Sequence, residues 1–148
     1  MKVIVIAGGG RRSGKTTLAA ALCELLPDSR SVKLGHHRAK EGKPALLFPL
    51  DTPYREVVRK MEECLFLIIE SGGILDDPDL QADLVIFLPT PGAGRDKPGS
   101  ERRRARADLV RGEPVAAGQL DKLRRALGVN SGTFDALLKA AGVSVENS

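Results

Sequence analysis

Gly9-Gly10-Arg11-Arg12-Ser13-Gly14-Lys15-Thr16 decides how this chain is read, because it satisfies the pattern G-x-x-x-x-G-K-[ST] at every position. The apolar run Val3-Ile4-Val5-Ile6-Ala7 stands before it, and the helix-forming Thr17-Leu18-Ala19-Ala20-Ala21-Leu22 follows. A buried strand, a glycine turn and a helix N-terminus are the parts from which a phosphate-binding loop is built. Backbone N–H groups at such an N-terminus point at an anion, and the helix dipole favours negative charge there. The expectation is a nucleoside triphosphate held by Gly9, Gly10, Arg11, Arg12, Ser13, Gly14, Lys15 and Thr16. Within that set Lys15 reaches the outer phosphates and the Thr16 hydroxyl ligates Mg²⁺. Arg11 and Arg12 fill variable positions of the pattern, where side chains are expected to face solvent.

The 148 residues leave room for one domain with a proper core and hardly for two. Aromatic residues make up 3%, so that core has to rest on Leu, Val, Ile and Ala. No apolar run approaches the roughly 18 residues of a membrane span. Cleaving an N-terminal signal would destroy the glycine loop. Cys23 and Cys64 stand apart in apolar contexts, which predicts buried thiols in a reducing compartment. These features predict a cytoplasmic protein with no membrane contact.

The net charge of +4 is unevenly distributed. Arg95 to Arg125 carries ten Lys or Arg against five Asp or Glu, whereas the rest of the chain has thirteen basic and fourteen acidic residues. Nucleic acid is not the expected partner, since the stretch lacks stacking aromatics and any recognition module. Phosphates of a nucleotide, or an acidic protein surface, account for the charge equally well.

Lys2 to Ala7 predicts a first strand, and Lys15 to Leu26 a helix closed by Pro27. Ser31 to Leu34 predicts a short second strand, with a polar stretch from Gly35 to Lys43 after it. Tyr54 to Cys64 predicts a helix, with Thr52 as N-cap and Pro53 in its first turn. Leu65 to Ile69 and Leu84 to Leu88 are continuous apolar runs of the kind found in strands covered on both faces. Alternation of such runs with helices predicts an α/β fold of the P-loop NTPase type, a mostly parallel sheet with helices on both faces. From about residue 89 to 148 a Pro- and Gly-rich loop, a basic helix capped at Ser100-Glu101 and ending at Gly112, and two short amphipathic helices are expected. Leu120, Leu123 and Leu127 line the first, and Phe134, Leu137, Leu138 and Ala141 the second. Their tight turn at Gly128 to Ser131 also fits a helix-turn-helix, but packing against the sheet is the reading taken.

A phosphate loop works with a carboxylate that organises Mg²⁺ or the attacking water, placed at the carboxyl end of a neighbouring strand. Glu70 ends the run from Leu65 to Ile69 and is followed by small residues, so it is the first candidate. Asp51, just ahead of Thr52-Pro53, is the second. Lys15, Asp51 and Glu70 are thus the expected catalytic set, and Thr16, Asp51 and Glu70 the expected metal set. Asp76, Asp77, Asp79 and Asp83 sit in turn-rich sequence and are expected to cap and solvate loops. Lys33, His36, His37 and Arg38 follow the second strand, where phosphate-sensing loops occur; a structural loop is the reading taken, with phosphate or substrate contact as the alternative.

Over its first ninety residues the chain resembles the molybdopterin-guanine dinucleotide biosynthesis adaptor protein B family of P-loop NTPases. The loop Gly9 to Thr17 running into Leu18, then Val32-Lys33-Leu34-Gly35-His36-His37, Asp51-Thr52 with Tyr54-Arg55, and Ile68-Ile69-Glu70-Ser71-Gly72 follow one another in the family's order. Two departures stand out: Lys33-Leu34 replaces a Lys-His pair, and an Ala-Gly-Ala after the Asp motif is missing. The resemblance implies nucleotide contacts at Gly9, Gly14, Lys15, Thr16 and Thr17, and acidic roles for Asp51 and Glu70. It further implies a homodimer that binds GTP, hydrolyses it slowly and assists a client enzyme of molybdenum cofactor maturation. GTP is preferred to ATP by resemblance alone, since no Asn-Lys-x-Asp segment is present. A partition-type ATPase would carry Lys five positions before Lys15, where Gly10 stands.

Two other readings remain open from sequence. A small-molecule or nucleotide kinase would use Pro89 to Gly99 as a lid and bring Arg95, Arg102, Arg103, Arg104 or Arg106 onto the transferred phosphate. A nucleotide-gated binding module would instead use the basic segment to dock an acidic partner or nucleic acid, without significant catalysis.

Overall fold

The apolar runs become the centre of a six-stranded sheet in which every pairing is parallel, in the order β3-β2-β4-β1-β5-β6. The structure is a computed structural model that describes residues 1–10, 13–35, 46–90 and 99–146. Its strands are β1 (Lys2–Gly8), β2 (Ser29–Leu34), β3 (Leu46–Phe48), β4 (Phe66–Glu70), β5 (Leu84–Leu88) and β6 (Leu109–Val110). Its helices are α1 (Lys15–Leu25), α2 (Tyr54–Lys60), α3 (Ser100–Ala105), α4 (Ala117–Leu127) and α5 (Ser131–Ala141), with a 3-10 turn at Gly73–Asp76.

Strand residues alternate between faces, and each face has its own apolar layer. Ile4, Ile6, Phe66, Ile68, Leu84, Ile86 and Leu88 pack with Leu18 and Leu22 of α1, Leu123 and Leu127 of α4, and Phe134, Leu137 and Leu138 of α5. Val3, Val5, Ala7, Leu67, Ile69, Val85 and Phe87 pack on the opposite side with Val57 of α2 and with Ile74 and Leu75. Helices therefore cover both faces, and β4 and β5 are buried at every residue, which is why their sequences show no polar alternation. The tail helices lie on the sheet as expected, with their leucine faces spent on the core. Asn130 caps α5 by accepting the Thr133 N–H at 2.8 Å, and Gly128 ends α4 in a left-handed turn.

Several boundaries differ from the sequence expectation. The basic helix does not run to Gly112: α3 stops at Ala105, and Leu109–Val110 joins the sheet beside β5. Asp108 N–H donates to Val85 O at 2.8 Å and Arg111 N–H to Phe87 O at 3.0 Å, so strand pairing there outweighs helix propensity. The start of α3 is Gly99, in a left-handed conformation, and Ser100 is its first residue rather than its cap. Helix α2 ends at Lys60, short of Cys64. Thr52 does not cap it, because its hydroxyl donates to Pro49 O at 2.7 Å; Asp77 accepts the Tyr54 N–H at 2.8 Å instead. Strand β3 was not expected. Cys64 is buried as expected, whereas Cys23 is half-buried at the edge of the α1 layer. Among the described residues no helix is long and apolar enough to cross a membrane.

Candidate functional site

β1 ends at Gly8 and α1 begins at Lys15, so the glycine loop lies at the carboxyl end of the sheet. Gly14 is the N-cap of α1 with φ 92°, a conformation that side-chain-bearing residues adopt only with strain. A Cβ on Gly14 would also lie 2.9 Å from Arg111 Nη1. Gly8 is constrained by crowding: a Cβ there would lie 2.4 Å from Ser13 Oγ and 3.0 Å from Lys15 Cδ. The loop thus folds closely over the end of β1. Ser13 is buried beneath it, and its hydroxyl has no hydrogen-bond partner among the described residues. Helix α1 carries no side-chain cap and no acidic residue in its first turn. The positive end of its dipole is left for an anion.

Glu70 closes β4, and parallel pairing sets it beside Ile6 of β1 and Lys33 of β2. Alternation along β4 sends Ile68 toward α1, and Glu70 two residues later follows the same face. The carboxylate is 2% exposed, and Thr16 Oγ1 donates to its Oε1 at 2.8 Å. A buried carboxylate is costly to desolvate, and this bond supplies part of the compensation. Lys15, Thr16, Thr17, Lys33 and Glu70 line one cleft of about 1400 Å³. Leu50–Pro53, Ser71–Ile74 and Asp76–Asp79 line it too. That exceeds the about 300–1,000 Å³ usual for a small-molecule pocket, so there is space for a nucleotide and more.

The expected acidic pair is only half assembled. Thr16 and Glu70 are in contact, whereas Asp51 is exposed and lines the same cleft without a bond to either. Asp77 is a cap, as expected, and its carboxyl is held below the ordinary aspartate range by the Tyr54 and Asp79 N–H groups. Asp83 caps the sheet by accepting the Val3 N–H at 2.8 Å. Arg11, Arg12, His36, His37, Arg38 and Arg95 lie outside the described residues.

Mg²⁺ takes hard oxygen ligands and keeps several for water and phosphate, so it needs no dedicated protein cage. The described residues hold no group of three or more His, Cys, Asp or Glu placed to hold a metal ion. Thr16 Oγ1 and Glu70 Oε1 are oxygens of the right kind, adjacent to one another beside the uncapped helix end. These residues fit the ion.

Three basic-segment residues reach the site without having been placed there by the motif. Arg111 donates to Ser13 O at 3.2 Å through Nη1 and to Ala141 O at 3.0 Å through Nε, tying the glycine loop to the last turn of α5. Ser100 is buried and its hydroxyl donates to Gly9 O at 3.4 Å. Arg103 lies against Gly72, where a Cβ would meet its Nη1 at 3.0 Å and its Cδ at 3.2 Å. The triplet Gly8-Gly9-Gly10 was a signal of close packing at the loop, and Arg103 was among the arginines the kinase reading brought to the phosphates; nothing local pointed to Arg111, whose contacts are long-range.

No protein-family model, no curated protein and no solved structure matches the chain.

Proposed function

We propose that the protein is a P-loop NTPase that binds a Mg²⁺–nucleoside triphosphate in the cleft above Gly9–Thr17 and hydrolyses it slowly. The observation that carries this reading is the 2.8 Å bond from Thr16 Oγ1 to the buried Glu70. It joins the last residue of the phosphate-binding pattern to an acid on the neighbouring strand, at an uncapped helix N-terminus.

Lys15 and the N-terminal N–H groups of α1 hold the phosphate chain, and Glu70 fixes the orientation of the Thr16 hydroxyl. Mg²⁺, when bound, neutralises charge on the outer phosphate oxygens. A water oxygen bonds to the γ-phosphorus as the bond from phosphorus to the bridging β–γ oxygen breaks. The bridging electron pair leaves with the diphosphate and the water proton passes to solvent, giving NDP and inorganic phosphate. Glu70 is hydrogen-bonded to Thr16, which leaves Asp51, exposed in the lining of the same cleft, as the group that orients the water.

The phrases around Lys33, Asp51 and Glu70 support the adaptor family named above, with GTP as nucleotide, a homodimer as assembly and a molybdenum cofactor enzyme as client. Steady turnover of Mg²⁺–GTP without an added acceptor, measured by phosphate release, tests this reading. Turnover that appears only when a phosphate acceptor is supplied would replace it with the kinase reading, which the size of the cleft and Arg103 in its wall favour.

A further inference from the structure

Arg103 is the one arginine of α3 that the surrounding protein leaves unanswered among the described residues. Arg102 pairs with Asp76 at 3.1 Å, Arg104 with Glu113, and Arg106 with Leu75 O and with Asp76 at 4.0 Å. The Arg103 side chain, on the same short helix, makes no ion pair or hydrogen bond among the described residues, and its Nε is buried without a partner there. Its guanidinium lies over Gly72, two residues beyond Glu70, and lines the same cleft as Lys15 and Thr16. A Cβ at position 72 would crowd that guanidinium, lying 3.0 Å from Nη1 and 3.3 Å from Cζ.

Guanidinium is charged at every physiological pH, and its planar fork matches the oxygens of a phosphate. Desolvating such a donor with no acceptor costs free energy that a bound oxyanion would return. Ser100 anchors the same helix to Gly9 O, so α3 is fixed to the glycine loop rather than hanging over it. We propose that Arg103 forms an oxyanion subsite at the Gly72 end of the cleft, taking a phosphate group adjacent to the nucleotide on the glycine loop. The proposal rests on the nucleotide reading above. Two sources have this chemistry: the terminal phosphate of the nucleotide itself, and a separate phosphorylated ligand.

Calorimetry on wild type, Arg103→Gln and Arg103→Lys separates them, with Mg²⁺ present and GTP, GDP, or inorganic phosphate added to GDP-loaded protein. If the terminal phosphate is the ligand, Arg103→Gln weakens GTP about tenfold or more and leaves GDP unchanged. If a separate phosphate is the ligand, GTP and GDP bind as in wild type while inorganic phosphate binding is lost. In either case Arg103→Lys, keeping charge without the fork, loses less than Arg103→Gln. Matching affinities for all three titrants in wild type and Arg103→Gln overturn the subsite and leave the nucleotide reading standing. Equal losses of GTP and GDP overturn it too, as the mark of a packing role. A wild type that binds none of GTP, GDP, ATP and ADP overturns the nucleotide reading and the subsite with it.

Discussion

Thr16 and Glu70 stand fifty-four positions apart in the chain and 2.8 Å apart in the fold, hydroxyl donating to carboxylate at the point where β4 ends beside β1. The contact needs three things at once: α1 must start at the glycine loop, β4 must pair with β1 in the observed register, and Glu70 must fall on the α1 face of its strand. Each follows from a sequence feature, namely the glycines, the two apolar runs and the two-residue period of a strand.

Glu70→Gln keeps an acceptor for Thr16 but removes the charge. We expect the Mg²⁺ concentration that half-saturates nucleotide binding to rise, and turnover to fall on the order of 10²-fold. Thr16→Ala should reproduce the Mg²⁺ effect. A magnesium titration that is superimposable for wild type and Glu70→Gln would show that the carboxylate only holds the hydroxyl in place.

Gly14→Ala forces a left-handed conformation on alanine and brings Cβ within 2.9 Å of Arg111 Nη1. The expected loss is about 1–3 kcal/mol of stability, read as a lower urea midpoint, together with weakened nucleotide binding. Gly118→Ala is the control, since a Cβ there meets nothing within 4 Å on α4. It should gain or lose little.

Arg111 joins the glycine loop to α5 through Ser13 O and Ala141 O. Arg111→Ala leaves those half-buried carbonyls without their donor, at a cost of about 1–3 kcal/mol. Because the loop is one of the two ends of this tie, saturating nucleotide should restore more thermal stability to Arg111→Ala than it adds to wild type. An equal nucleotide-induced rise in midpoint for both proteins would show that the tie does not act on the loop.

Acid should loosen the start of α2 through Asp77. Its carboxyl accepts N–H bonds from Tyr54 and Asp79, which hold it below the ordinary aspartate range. A lowered folded value means stability that is fully present above the unfolded aspartate range and lost as pH falls through the folded value. Asp108 acts in the opposite sense, because desolvation raises its carboxyl; its ionised form opposes folding, so acid relieves that cost. Thermal midpoints from pH 6 down to about pH 3, near these carboxylate values, should therefore fall less for Asp77→Asn than for wild type. They should fall more for Asp108→Asn.

What the sequence disclosed and what it hid divide by range. β1, β4 and β5 were legible because strands covered on both faces are apolar without interruption, and Glu70 was legible as the first polar residue after such a run. β3, with Leu46-Leu47-Phe48, and β6, with Leu109-Val110, are too short to show a period. The basic residues before β6 favour a helix until the edge of β5 offers backbone partners, an influence no local window contains. The cap of α2 lies twenty-three residues away at Asp77, so the nearby Thr52 was a reasonable but wrong choice. From sequence Arg103 was one of five candidate lid arginines and Arg111 only part of a basic stretch; the fold places the first over Gly72 and bonds the second to Ser13 O of the glycine loop.

The central claim is that Lys15 and its helix N-terminus hold the phosphates of a nucleotide. Titrating Mg²⁺–GTP and Mg²⁺–ATP into wild type and Lys15→Ala by calorimetry tests it most directly. Saturable binding of a triphosphate to wild type, weakened about a hundredfold or more in Lys15→Ala, is the predicted result. Equal affinity of the two proteins for both nucleotides, or binding of neither to wild type, would contradict the claim.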